Sequence, residues 1–461
     1  MKKIASIICA LCFLTISIFC FSCRTSSSDR SSYNIDCTFD GESISGTEKV
    51  TFYNSTENAF SELKFNLFMN AYREGAKYSP ISESDKATCY YAGSSYGNIE
   101  IVSVKSGREN LEFSICGEDE NILSVKLLNE VFPNESVSVD IEFKVQFPKV
   151  ISRTGITPVS INMGNFYPIL CGIENGAFYE CVYYSNGDPF FSDCADYNVK
   201  ITLPSEYVLA SSCKLKNSKK DGDNSVNEYS IENARSICFV ASKDFESISD
   251  TSLGIDITYY FYKDTNPSKS LKIAVDSIKT FNELFGDYPY KTYSVVETPF
   301  NEGGMEYPAL VYISSDLERE AYEEVIIHET AHQWWQTTVG NNEIKYGFLD
   351  EGLAEYSVVL FYEHNPSYNI KRETLIKSTE KTYRIYCSVF DKLYGNVDTT
   401  MLRALGEYKS EYEYVNIAYI KGCLMQEYLR VGIGDDKYFK GLKKYYKEFS
   451  FKNATPEDLM G

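Results

Sequence analysis

The chain has 461 residues, with 45 Lys and Arg against 65 Asp and Glu, for a formal charge of −20. That balance leaves no broad basic surface to displace phosphate counterions and argues against nucleic-acid binding. Hydrophobic residues at 43% and charged residues at 24% are ordinary for a globular chain, here long enough for two or three domains, and exclude general disorder.

The chain opens MKKIASIICALCFLTISIFCFSC: two lysines, an apolar run from Ile4 to Phe21, then a small residue before Cys23. This pattern predicts a signal peptide over residues 1–22. Ser22-Cys23 resembles the end of a bacterial lipobox, with Cys20 where leucine is usual. Cys23 is then the lipidated first residue, and residues 23–32 form a polar tether. The expectation is an exported lipoprotein held in a bacterial cell envelope through Cys23. An uncleaved anchor and free export are the other outcomes such a segment allows. No later stretch reaches 18 uninterrupted apolar residues. Ten of the fourteen cysteines lie beyond Cys23, an even number that permits disulfides but does not give their pairing.

Residues 33–248 read as an N-terminal antiparallel β domain. Runs such as KVTFYN, VSVDIEFKV and YNVKITL are rich in β-branched and aromatic residues, with turn signals such as SNGD and KKDGDNS between runs. The 38 tyrosines and 28 phenylalanines fit that reading. Residues 249–461 have a different texture, α+β and mostly helical towards the C-terminus. SKSLKIAVDSIKTFNELFG carries apolar residues at helical spacing and stops at Gly286. The strand YSVVETP follows. Ser315 and Glu318 have the form of a capping box, which predicts a helix start there. Leu317, Ala321, Val325, His328, His332 and Trp335 fall on one face of that helix.

The chain has three histidines, and two of them frame HETAH, residues 328–332. Residues four apart on a helix lie one above the other, so His328 and His332 can point two imidazoles at one ion. The alternative is a pair of satisfied core histidines. Hydrolytic zinc sites need a third protein ligand and keep one position open. Glu329 stands where it can serve as general base. His364, just before a proline, reads as a surface or capping residue. The carboxylate Glu351 in DEGLAEY is the other candidate, though a glutamate in a helix's first turn is also favoured by the dipole alone.

HETAH, eighteen further residues and Glu351 resemble the signature of the aminopeptidase N family of gluzincin zinc metallopeptidases, which also contains leukotriene hydrolase. NEGGMEYP at 301–308 is similar to that family's exopeptidase motif, and AYIKG at 418–422 to its catalytic-tyrosine segment. YNIDCTFDGESISGTEKVTFYN and KFNLFMNAYREG resemble the N-terminal β domain of its shorter bacterial members. The resemblance implies a thermolysin-like catalytic domain and one zinc per chain, held by His328, His332 and Glu351. It implies Glu329 as the base and Tyr419 as donor to the oxyanion. Glu306 would bind the α-amine of a peptide with a free N-terminus, while Gly303, Gly304 and Met305 line the substrate. The implied activity is removal of N-terminal residues. A zinc endopeptidase with the same site and a non-catalytic surface binding protein are the other readings. Tyr307 departs from the family's asparagine, NMGNFYP is only in about the right region for the N-domain residue that binds the α-amine, and with the sequence ending at Gly461 the expectation is a catalytic domain without an extended C-terminal helical domain.

Overall fold

The structure, a computed structural model, describes residues 29–461. The expected signal peptide, Cys23 and most of the tether lie outside them. Among the described residues no helix is long and apolar enough to cross a membrane.

The strand-rich part is built on alternation. Along Ser32–Phe39, Tyr33, Ile35, Cys37 and Phe39 turn inward while the residues between them face outward. An eight-stranded sheet puts this strand between Ser43–Tyr53 and Ala195–Pro204. Most pairs are antiparallel, as the alternation predicts, but Ser32–Phe39 runs parallel to Ala195–Pro204. A parallel neighbour needs a long crossover, and the chain between the two strands supplies it, including a whole four-stranded antiparallel sheet of Ile169–Leu170, Phe60–Asn66, Ile122–Val131 and Phe113–Cys116; another four-stranded antiparallel sheet joins Thr154–Ile156 and Ser160–Gly164 of that stretch to Val208–Ser211 and Cys238–Ser242 beyond it. The ten described cysteines after Cys23 are free thiols, seven of them buried.

A five-stranded sheet begins at Glu246–Asp250 and continues through Asp256–Phe261, Thr292–Thr298 and Leu310–Ser314 to a short edge strand, Gly304–Met305. Its three middle strands are parallel. Helix α1, Pro267–Leu284, makes the crossover and ends where Gly286 adopts a φ of +142°. A Cβ there would lie 2.6 Å from the Tyr446 ring, so close packing demands glycine. Thr292–Thr298 is buried along nearly its whole length, which explains why Tyr293, Val295 and Val296 follow one another with little apolar–polar alternation.

Helix α2, Arg319–Ala331, follows. The predicted capping box does not form: Glu318 is the N-cap and no side chain caps it. Ser315 stays in the turn after the preceding strand, its amide bonded to Thr298 O and its hydroxyl accepting from Tyr262. Beyond it come α3, Phe348–His364; α4, Arg372–Tyr394; α5, Gly422–Ile433; and α6, Asp435–Phe449. A buried apolar core runs without a break from the strand-rich part into these helices.

Candidate active site and metal centre

Helix α2 ends on the site. His328 lies in its last turn and His332 is its C-cap residue. Their Nε2 atoms are 3.0 Å apart. Oε2 of Glu351, from the first turn of α3, lies 3.3 Å from His328 Nε2 and 3.2 Å from His332 Nε2. Donors at zinc's bond length of about 2.0–2.1 Å in a tetrahedron stand about 3.3 Å apart. The chain therefore holds three nitrogen and oxygen donors at the spacing zinc requires.

The far side of each histidine is also fixed. His328 Nδ1 lies 3.2 Å from Glu355 Oε2, and His332 Nδ1 lies 3.0 Å from Trp335 O. With N–H donated to these acceptors, both rings turn an Nε2 lone pair toward the cluster. Burial pushes the Glu351 carboxyl up, but His332 and His328 outweigh it and hold it at about 2.

Tyr419 sits on a π-helical stretch, Val415–Lys421, that leads into α5. Single π turns recur at functional sites because they re-aim one side chain. Gly352 of α3 and Gly422 of α5 are what let the two helices meet: a Cβ on Gly352 would lie 2.9 Å from the Gly422 Cα. That approach brings the Tyr419 hydroxyl to Glu351 Oε1, to which it donates across 2.6 Å, and stacks its ring parallel to His328.

Glu329 points from α2 toward Gly304. A Cβ on Gly304 would come within 2.4 Å of its Oε1. Its Oε2 is buried with no partner, and burial lifts its carboxyl to about 7 against the pull of the two histidines. Glu306 is 3% exposed, with Oε1 also unpartnered. Burial first, then Asp188, pushes its carboxyl well above the usual range. Gly304–Met305 pairs with Tyr312–Ile313 on one side only, leaving a sheet edge on which an extended peptide can lie. Gly303, Gly304, Glu306, Glu329, Tyr419 and the three donors line one cleft of about 310 Å³, the volume of a small ligand site.

Residues 269–461 match the Peptidase family M1 domain. This part of the chain is thus similar to M1 peptidases of the aminopeptidase N-like, gluzincin kind. Similarity extends upstream of the M1 domain. Aminopeptidase M1-D of Oryza sativa subsp. japonica is 26% identical over 286 residues, 58% of this chain and 32% of that protein. Endoplasmic reticulum aminopeptidase 2 of Homo sapiens is 24% identical over 301 residues, 59% of this chain and 30% of that protein. The match thus spans about a third of these relatives' length. A mutant M1 zinc metallopeptidase from Deinococcus radiodurans, solved with a Tyr-Ser-Ala substrate, superposes with a TM-score of 0.64 at 17% identity, covering 94% of this chain and 89% of that one. The strand-rich part followed by a helical region is thus the two-domain M1 architecture.

Several residues of the cleft escaped the sequence. Asp188, from the strand-rich part, lines it beside Glu306. Arg153, 1% exposed, bonds Asp188 Oδ1 at 2.8 Å and both oxygens of Glu302 at 2.9 and 2.7 Å, tying that part to the Gly303–Gly304 edge. These contacts span 35 and 149 positions, and no local pattern encodes them. Glu355, by contrast, is four residues from Glu351 on one helical face, a visible signal. The NMGNFYP segment supplies Asn165 to a small cavity it shares with Glu306, and Gly164 to make room for Tyr307. Tyr307 replaces the family's asparagine with a buried ring against Tyr312, its hydroxyl unpartnered. His364 ends α3 and bonds Leu360 O, a capping role away from the donors.

Proposed function

We propose that this protein is a zinc-dependent aminopeptidase that removes the N-terminal residue from peptides. The observation that carries this reading is the joining of a His328–His332–Glu351 donor triangle to an unpartnered, buried Glu306 carboxylate in one cleft. When bound, zinc supplies Lewis acidity that makes water acidic and polarises a carbonyl.

The chain's own residues do the rest. Glu306 pairs with the α-ammonium, an interaction strengthened by burial. Gly303, Gly304 and Met305 hold the peptide extended along the sheet edge. Glu329 takes the proton of the attacking water and returns it to the leaving amine; a carboxyl near 7 is poised for both transfers. Tyr419 moves its hydrogen bond from Glu351 to the oxyanion as charge builds there. The relatives named aminopeptidases, and the M1 zinc metallopeptidase solved with a tripeptide, agree with this assignment. We further propose export and anchoring at Cys23, on the strength of the lysines, apolar run and Ser22-Cys23 pair of the N-terminus.

The test is removal of the metal with a chelator and its replacement by zinc, with a free peptide as substrate and Glu329→Gln as control. Activity should vanish, return with zinc, and be absent from the variant. Cleavage that survives chelation, or persists in Glu329→Gln, overturns the assignment.

A further inference from the structure

The cleft is unusually rich in carboxylates, and its chemistry leaves several unanswered. Glu329 and Glu351 belong to the metal centre and Glu306 to the α-ammonium. Arg153 offsets charge on Asp188 and Glu302. Glu324, Glu355 and Glu411 also line the cleft, and none makes a salt bridge to Lys or Arg among the described residues; Glu355 is bonded to His328. Among the described residues, the only basic side chains on the cleft wall are the two histidines of the donor set.

These acids are not spread at random along the substrate path. His332 shares one tight cluster with Glu306 and Glu329, so the amine end of the peptide lies on its side. His328 faces Glu355, and Glu324 lies one helical turn before His328 and within electrostatic reach of Glu355. The leaving portion of the peptide therefore runs toward Glu324. On the amine side the wall beyond Glu306 is Asp188, Glu302 and Glu411. Glu411 stands close enough to Glu302 and Arg153 to feel both charges. Glu306 Oε1, buried and unpartnered in the same cleft, marks this end as built to receive a cation.

We infer that the substrates are basic peptides, with Glu411 selecting a lysine or arginine side chain at the first residue and Glu324 favouring one at the second. This rests on the aminopeptidase assignment. A cationic side chain supplies the counter-charge the cleft lacks, while an acidic one meets repulsion from a wall that carries carboxylates and, among the described residues, no Lys or Arg.

The experiment compares kcat/KM for peptides differing only at the first residue (Arg, Lys, Leu or Glu), and for a second set differing only at the second. Wild type, Glu411→Gln and Glu324→Gln full chains are loaded with zinc and assayed at low and high salt. Arg and Lys should exceed Leu at the first position by about five- to tenfold and Glu by more, with the advantage shrinking as salt screens it. Glu411→Gln should erase the first-position preference and spare cleavage of the Leu peptide; Glu324→Gln should affect only the second position. Preference for Leu or Glu overturns the inference and leaves the aminopeptidase assignment standing. A basic preference untouched by Glu411→Gln overturns the role of Glu411. No cleavage of any peptide by zinc-loaded chain overturns both.

Discussion

The Tyr419 hydroxyl donates to Oε1 of Glu351, while the other oxygen of the same carboxylate faces both histidines. One carboxylate thus connects the donor set to the phenol proposed to stabilise the oxyanion. Tyr419→Phe should lower kcat about a hundredfold to a thousandfold, the cost of one lost oxyanion donor, with a small change in KM. Zinc content measured beside the kinetics should stay close to one per chain. Loss of zinc in proportion to activity would assign Tyr419 to the metal centre instead.

Glu355 holds His328 from behind. Glu355→Gln keeps an acceptor but loses the charge, and Glu355→Ala loses both. Zinc affinity, measured by competition with a chelator, should fall about tenfold to a hundredfold in the alanine variant and less in the glutamine variant. Equal affinity in all three forms would mean that Trp335 O and the chain alone orient the rings.

Gly304 leaves room for Glu329. Gly304→Ala places a methyl group 2.4 Å from Glu329 Oε1, and either the base or the edge strand must move. Activity should drop at least as far as a misplaced base allows, about a hundredfold, while the melting temperature changes little because Gly304 is on a sheet edge. Gly303→Ala, whose Cβ meets only Val325 at 3.4 Å, should be far milder.

Far from the cleft, Glu48 tests the strand-rich part. It is 1% exposed, neither oxygen has a partner, and its electrostatic neighbours include Tyr33, Tyr167 and Tyr197. Burial raises its carboxyl well above its ordinary 4.5. The folded chain therefore binds a proton that the unfolded chain releases above 4.5. Stability from this group is whole below that pH and is lost as pH rises toward the folded value, at about 1.4 kcal/mol per pH unit. Glu48→Gln should be more stable than wild type at neutral pH, with the gap closing near pH 4.5 in denaturant titrations. A gap independent of pH would show that the carboxyl is ionised in the fold.

What the sequence made legible was local. The four-residue spacing inside HETAH is itself a helix property and put His328 and His332 on one face, whereas Glu351, on a separate helix buried nearly all round, was pointed to as third donor by the resemblance to the family signature. Gly286 marked the end of α1 because close packing there excludes a side chain. The alternation at Tyr33, Ile35, Cys37 and Phe39 announced a strand but not its parallel partner 164 positions on. Ser315 and Glu318 had the right letters for a cap, yet Ser315 is held by Thr298 and Tyr262 across the turn. The Arg153 clamp was invisible for the same reason: its bond to Asp188 spans 35 positions of the strand-rich part, and its bonds to Glu302 exist only once the two parts have docked.

The most direct measurement is mass spectrometry of products from one peptide offered with a free and with an acetylated N-terminus. The account predicts successive loss of single residues from the free peptide, none from the acetylated one, and loss of that distinction when Glu306 is replaced by alanine. Internal fragments from both peptides would contradict the aminopeptidase assignment and leave a zinc endopeptidase in its place.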